Sequence, residues 1–363
     1  MTDPVVNFSA GPAALPHAVL ERVRSELPDY RGRGVSILEQ SHRGADYGAV
    51  HTGALERVRK LLAVPDSHEI SFLQGGASGM FALVPLNFLA EGSSADYVLT
   101  GRWSDRALSE ASIVGRARTA GTGKDGDRYV RIPRFEDLDL DPNAAYVHMT
   151  SNNTVVGSQY HAFPKTGSVP LVADMSSDIL SGPLDVSRFG LIYAGAQKNL
   201  GPAGVTVVIA DRAWIEDGRT DIPQIMQFRT HARANSLFNT PPTFAIYLLG
   251  YVMEWIEAEG GAEAMAERTR MKQQLVYATI DEHAGFYETD IERDSRSWMN
   301  VTFRCPSEEL DQRFLAEAES QRMIGLKGHR SVGGVRVSLY NAVELQGVKR
   351  LVDLMRDFAR RNG

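Results

Sequence analysis

Between about residues 68 and 210 short apolar strings alternate with longer stretches of helical period. The strings at 69–73, 95–100, 145–149, 169–173, 191–194 and 205–210 are each bounded by Gly, Ser, Asn or Asp, as strands are. Segments such as 77–89 and 104–114 carry the helical pattern. This alternation predicts an α/β fold: a mostly parallel central sheet with helices on both faces. A helical region then runs from near Pro242 to about Glu282, with a break at Gly260-Gly261. Beyond it the order changes to strand 299–304, helix 308–323, strand 335–339 and helix 341–361. That is the pattern of a smaller α+β unit. The expected division is a large domain at 16–260 and a small domain formed by 1–15 and 261–363. Open sheets of this kind bind ligands beyond the carboxyl ends of their strands, so the residues that follow each strand are the ones to read for chemistry.

Lys198 follows the 191–194 strand, in Ala-Gly-Ala-Gln-Lys198-Asn-Leu-Gly-Pro. A lysine at the end of a buried strand is costly unless it is paired or covalently engaged, and its amine can form a Schiff base with an aldehyde. Asp174 ends the 169–173 strand, 24 residues upstream. Each alone also reads as an exposed loop charge. Together they are the pair that pyridoxal phosphate requires, an amine for its aldehyde and a carboxylate for its ring nitrogen.

Gln74-Gly75-Gly76-Ala77-Ser78-Gly79 joins a strand to an apolar helix. It is either a flexible turn or a phosphate cup built from amides at a helix start. No P-loop or G-x-G-x-x-G pattern is present, which disfavours a nucleotide. Trp103, after the next strand, suits core packing or stacking on a flat ring. Ser151-Asn-Asn-Thr154 reads as a turn or as a set of hydrogen-bond partners, with Thr154 the better ligand. Two His-Arg pairs, His42-Arg43 and His329-Arg330, lie beside glycines, with Arg336 six residues after the second. They are surface cations or recognition groups for phosphate and carboxylate.

A net charge of −6 disfavours nucleic-acid or anionic-membrane surfaces, while leaving room for a local basic pocket. The single cysteine, Cys305, excludes an internal disulfide and points to a reducing compartment; at a strand end it reads as packing. The nine histidines lack metal-site spacing, so no metal is expected. No apolar run approaches a membrane span, and the N-terminus lacks a basic segment followed by an apolar one. A soluble, cytoplasmic protein is the expectation.

Four segments carry a resemblance that runs essentially end to end: Phe8-Ser-Ala-Gly-Pro-Ala-Ala-Leu-Pro16, the stretch from Asp185 through Lys198-Asn199, Phe238-Asn-Thr-Pro-Pro-Thr-Phe-Ala-Ile-Tyr247, and Gly328-His-Arg through Tyr340-Asn341. The chain resembles the phosphoserine aminotransferase family, in the class V branch of the fold-type I pyridoxal-phosphate enzymes. That resemblance implies a homodimer with active sites at the interface. It implies transfer of the amino group of L-glutamate to 3-phosphohydroxypyruvate, giving O-phospho-L-serine and 2-oxoglutarate for serine biosynthesis. Some members also form 4-phosphohydroxy-L-threonine for pyridoxine biosynthesis, and the sequence leaves that second substrate open.

By the same resemblance Lys198 holds pyridoxal 5'-phosphate, Asp174 its ring nitrogen, Trp103 its ring face and Thr154 its ring oxygen. Gly76, Ala77 and Gln197 hold its phosphate, with Asn239 and Thr240 from the second subunit. Ser78 is not assigned. Arg336 takes the substrate carboxylate; His329 and Arg330, with His42 and Arg43 from the second subunit, take the substrate phosphate. The alternatives are an alanine–glyoxylate or serine–pyruvate aminotransferase, for which the His-Arg pairs would be surplus, a cysteine desulfurase, which Cys305-Pro306 suits poorly, and a silent ligand-binding protein on the same fold.

Overall fold

The computed structural model describes residues 4–363. Seven strands form the central sheet: β1 (His68–Gly75), β2 (Ser94–Leu99), β3 (Arg116–Thr122), β4 (Val147–Thr150), β5 (Leu171–Asp174), β6 (Leu191–Gly195) and β7 (Gly204–Asp211). Their order is β1-β7-β6-β5-β4-β2-β3. All run in one direction except β7, which is antiparallel to both neighbours. The fold is therefore α/β with a mostly parallel sheet. Strands β4, β5 and β6 are buried at every position, as a central strand covered on both faces must be.

Alternate side chains of these strands enter two separate cores. Met149, Ala173, Ile192 and Val207 face one, which α1 (His17–Glu26), α2 (Ala45–Leu61) and α5 (Thr243–Ala258) cover. Tyr146, Val172, Tyr193 and Val208 face the other, under α3 (Ala77–Phe88) and α4 (Arg102–Val114). Two helical layers thus clamp the sheet, and its carboxyl edge is left open to solvent.

A third core gathers Phe8 with residues from 276 to 359. It is built on α6 (Gly261–Glu282), β8 (Asn300–Phe303), α7 (Glu308–Ser320), β9 (Val335–Ser338) and α8 (Leu345–Asn362). The short strand Val6–Asn7 pairs in parallel with Met323–Ile324, so the first described residues pack with the last hundred. Helix α6 spans two cores: Ala262 and Met265 face the sheet's core, and Val276, Tyr277 and Ile280 face this one.

Two boundaries differ from expectation. Helix α7 stops at Ser320, because Arg322 takes a left-handed φ of 62° before the Met323–Ile324 strand. Helix α8 begins at Leu345 instead of 341, because the 340–343 segment is used in cross-links. Asn341 donates through Nδ2 to the Leu180 carbonyl at 2.8 Å, and its N–H donates to Asn199 Oδ1 at 3.0 Å. Among the described residues no helix is long and apolar enough to cross a membrane.

Lys272 of α6 is buried, and its Nζ donates to the carbonyls of Tyr340 (2.7 Å) and Val343 (3.1 Å). Burial, then the charge of Arg268, pull its pKa from 10.5 down to about 7. Replacement Lys272→Met removes both bonds to the 340–343 segment. A loss of about 1–3 kcal/mol is expected, read as a lower denaturation midpoint in urea; an unchanged midpoint would show that the segment is held by other contacts.

Candidate functional site

The parallel register aligns the strand ends: Thr150 stands opposite Asp174, and Asp174 opposite Tyr193. Beyond this edge lies a cleft of ≈ 480 Å³, whose lining includes Gly76, Ala77, Ser78, Trp103, Thr154, Asp174, Gln197, Lys198, His329 and Arg336. Residues far apart in sequence therefore meet in one place. Asn239, Thr240, His42, Arg43 and Arg330 do not line the cleft of this single chain. Asn239 Nδ2 bonds Gln74 Oε1 at 3.1 Å and the Thr240 carbonyl accepts from Gln74 Nε2, which docks that loop at the end of β1. Arg43 and Arg330 are exposed and His42 is partly exposed.

Lys198 is only partly buried, yet its amine is strongly desolvated. Burial pulls its pKa from 10.5 to about 8; the negative charge of Asp174, and that of Asp178 whenever it ionises, oppose the fall, and Arg336 adds to it. Its methylene stem passes close over Gly11, where a β-carbon would stand 3.4 Å from Lys198 Cγ. Asp174 is buried and accepts from the Ser176 N–H at 2.9 Å. Burial raises its pKa, while Ser176 and the charge of Lys198 hold it down.

The walls are fixed by polar contacts. Ser104 Oγ accepts from the N–H groups of Thr100 (2.9 Å) and Gly101 (3.1 Å), which starts α4 and turns Trp103 inward. Trp103 Nε1 donates to Thr154 Oγ1 at 3.0 Å, so the indole is pinned by the residue across the cleft. A β-carbon at Gly101 would meet Asn153 Oδ1 at 2.5 Å, hence the need for glycine there. At the opposite wall Gly76 caps α3, and the first amides of that helix have no partner within it. Gln197 Oε1 stands over Gly195, on the side where the Ala77 amide also lies.

Arg336 supplies the cationic side. Its Nη1 donates to the Thr154 carbonyl at 3.0 Å, and its buried Nε has no partner. Burial lowers its pKa, and it forms no ion pair with a carboxylate among the described residues. His329 lies among Arg102, Arg336 and Arg330; burial first and then those charges depress its pKa. The cleft thus has an acidic floor and a cationic rim.

Sequence reasoning missed Gly11, Thr150, Arg102 and Asp178. Thr150 Oγ1 lines the cleft, buried and unpartnered. Asp178 was legible in principle: it stands four residues after Asp174, the spacing that puts two side chains on one face of a helical turn. Cys305 is buried at a strand end, away from the cleft, as packing requires.

The chain matches the family profile described as aminotransferase class-V over residues 5–351. It is 51% identical over 362 residues, covering all of both chains, to a phosphoserine aminotransferase of Lysinibacillus sphaericus. The solved phosphoserine aminotransferase from Bacillus circulans subsp. alkalophilus superposes with a TM-score of 0.97 at 49% identity, over 99% of each chain. A PLP-bound phosphoserine aminotransferase from Trichomonas vaginalis superposes with a TM-score of 0.92 at 37% identity, over 97% of this chain and 100% of that one.

The shifted amine is testable without any ligand. Acylation of Lys198 by an amine-selective reagent, followed by peptide mass mapping, is expected to reach half its maximal rate near pH 8 instead of pH 10.5. A lowered pKa frees the neutral amine at lower pH, so a rate that rises only near the ordinary value would contradict the desolvation.

Proposed function

The chain belongs to the class-V aminotransferase family, and from that premise we propose that it is a phosphoserine transaminase using pyridoxal 5'-phosphate. It moves the amino group between L-glutamate and 3-phosphohydroxypyruvate, giving O-phospho-L-serine and 2-oxoglutarate, a step of serine biosynthesis. The single observation that carries the reading is the desolvated Lys198 amine in one cleft with Asp174 and an unpaired Arg336. The residues fit the cofactor: an amine, a buried carboxylate, free helix-start amides and the orphaned Thr150 Oγ1 line the same space.

When bound, pyridoxal phosphate supplies an aldehyde for the substrate nitrogen and an electron-poor ring that accepts the electrons released at the α carbon. The protein does the rest. Asp174, buried at its strand end, favours a protonated ring nitrogen by charge. Trp103, fixed through Thr154, covers a flat ring from one side. Gly76, Ala77 and Gln197 are placed to hold a phosphate. Lys198 Nζ, its pKa lowered by burial to about 8, takes and returns the proton at the substrate α carbon. Arg336 Nε, lacking a protein acceptor, takes the α-carboxylate.

His329 and Arg330 recognise the substrate phosphate, completed by His42 and Arg43 from a second copy; Asn239 and Thr240 of that copy close the cofactor's phosphate site. The exposure of Arg43, Thr240 and Arg330 in the single chain, outside the cleft that His329 lines, supports a homodimer in which the site is shared. The units at 16–260 and at 1–15 with 261–363 act as large and small domains, a division that the third core supports, with α6 bridging them.

Visible absorption of the cofactor-loaded protein, titrated with O-phospho-L-serine, L-serine and L-alanine, is the first test. Loss of the visible band at low phosphoserine alone is expected; an equal response to alanine or serine would keep the reaction and discard the substrate. Arg330→Ala should weaken phosphoserine by about 10-fold or more, the value of one charge-assisted contact, and leave alanine nearly unaffected. Lys198→Ala should abolish turnover, and any retained transamination would remove Lys198 from its role.

A further inference from the structure

The turn Asp174-Met-Ser-Ser-Asp178 carries a second carboxyl group that the chemistry above leaves unused. Asp178 Oδ1 lies within hydrogen-bond reach of Ser151 Oγ, and Oδ2 accepts from Gln159 Nε2 at 3.2 Å. Ser151 Oγ is also 2.9 Å from the Asp174 carbonyl oxygen, which already accepts from the Ser151 N–H at 3.0 Å. A hydroxyl has one proton and a peptide carbonyl has none. Both contacts of Ser151 Oγ are full two-centre hydrogen bonds if the second proton comes from Asp178; without it one hydroxyl proton must be shared between two acceptors or serve one of them. The acid then donates to Ser151 Oγ, while the hydroxyl donates to the carbonyl. The other arrangement turns the hydroxyl proton toward a carboxylate and leaves two oxygens with facing lone pairs at 2.9 Å.

We propose that Asp178 is held as a neutral carboxylic acid and is a positioning residue, which keeps Asp174 the sole negative charge beneath Lys198. Three ionisable groups face it: Asp174 from its own turn, Lys198 from the segment after β6, and Tyr340 from the segment after β9. Desolvation pushes the partly buried Asp178 up to about 7, and the charge of Asp174 pushes the same way; Gln159 and the charge of Lys198 oppose it, as Ser151 would only if its hydroxyl donated to a carboxylate. Ionised, Asp178 would hold the proton on Lys198 more tightly, and a protonated amine neither attacks an aldehyde nor accepts a proton. The positioning role rests on Lys198 being the reactive amine. The whereabouts of the proton does not.

Infrared difference spectra of the ligand-free protein between about pH 5 and about pH 9 locate that proton. The carbonyl stretch of a protonated carboxyl should bleach near neutrality in the natural chain and be missing from Asp178→Asn. Ser151→Ala takes away the acceptor of the acid's proton, so the bleaching midpoint should move down, by about half a pH unit or more. A midpoint moving up would mean that Ser151 had been donating to a carboxylate, and would overturn the proposal. Should the Asn variant not fold, the sign of the Ser151→Ala shift decides alone. In the cofactor-loaded enzyme, Asp178→Asn should leave the acid limb of kcat/KM in place, because one neutral group replaces another beside Lys198. An acid limb that moves to lower pH would mean that Asp178 is ionised beside Lys198, and would remove the positioning role while leaving the transaminase reading intact.

Discussion

Desolvation of one amine governs this architecture. Lys198 reaches a useful pKa because protein, not water, surrounds it, and the sheet is what keeps water away. A lysine in the open would stay protonated at neutrality and could serve only as a fixed charge. A lysine fully buried without a partner would oppose folding. The structure takes a middle course, with Asp174 close enough to offset part of the burial cost but not all of it. Parallel register achieves this, because it brings Thr150, Asp174 and Tyr193 to one level and lets the chain after β6 run across that edge.

The cleft has a second wall that the sheet alone does not provide. Asn152 Nδ2 donates to Asn300 Oδ1 at 2.8 Å, Asn300 Nδ2 donates to Ser338 Oγ at 3.0 Å and to Tyr340 Oη at 3.2 Å, and Tyr340 Oη donates to the Ala10 carbonyl at 2.9 Å. One chain of buried side chains thus joins the sheet edge, the β8–β9 pair and the N-terminal segment. Asn199, next to Lys198, receives the Asn341 N–H through its Oδ1, and Lys272 holds the segment from behind. Among the side chains of this network only Asn341 Oδ1 is buried without a partner. The network orders the joint more sharply than apolar packing would, since each amide accepts one arrangement of neighbours.

Much of this was legible in the chain, and the failures share a cause. Strands β4 to β6 announce themselves because both faces are buried, and the Gly-Gly break between α5 and α6 appears where it was read. Strand β3 escaped notice: it sits at the sheet edge, largely exposed, and its sequence Arg-Ala-Arg-Thr-Ala-Gly-Thr reads as polar loop. The start of α8 was placed too early because Asn341 looks compatible with a helix until its cross-links to Leu180 and Asn199 are seen. Lys198 and Asp174 stand at strand ends, where local pattern marks them. Arg102 gains meaning only from neighbours across the fold, and no local signal carries that; Asp178 offers only the hint of its four-residue spacing from Asp174.

The distribution of charge gives the cleft a direction. Asp174 lies at the floor, while Arg336, His329 and the nearby Arg102 and Arg330 lie toward the mouth. The chain as a whole is acidic, at −6, so this cationic rim stands out against its surroundings and draws anions to one place. An anion entering the cleft is attracted by these cations and repelled by Asp174. The depressed pKa of Arg336 marks the cost of keeping such a cation dry with no carboxylate beside it. A protein tolerates that cost where the missing partner arrives with the substrate. On the proposed reading, orientation and affinity come from the same arginine, and the α carbon reaches the amine assigned to take its proton.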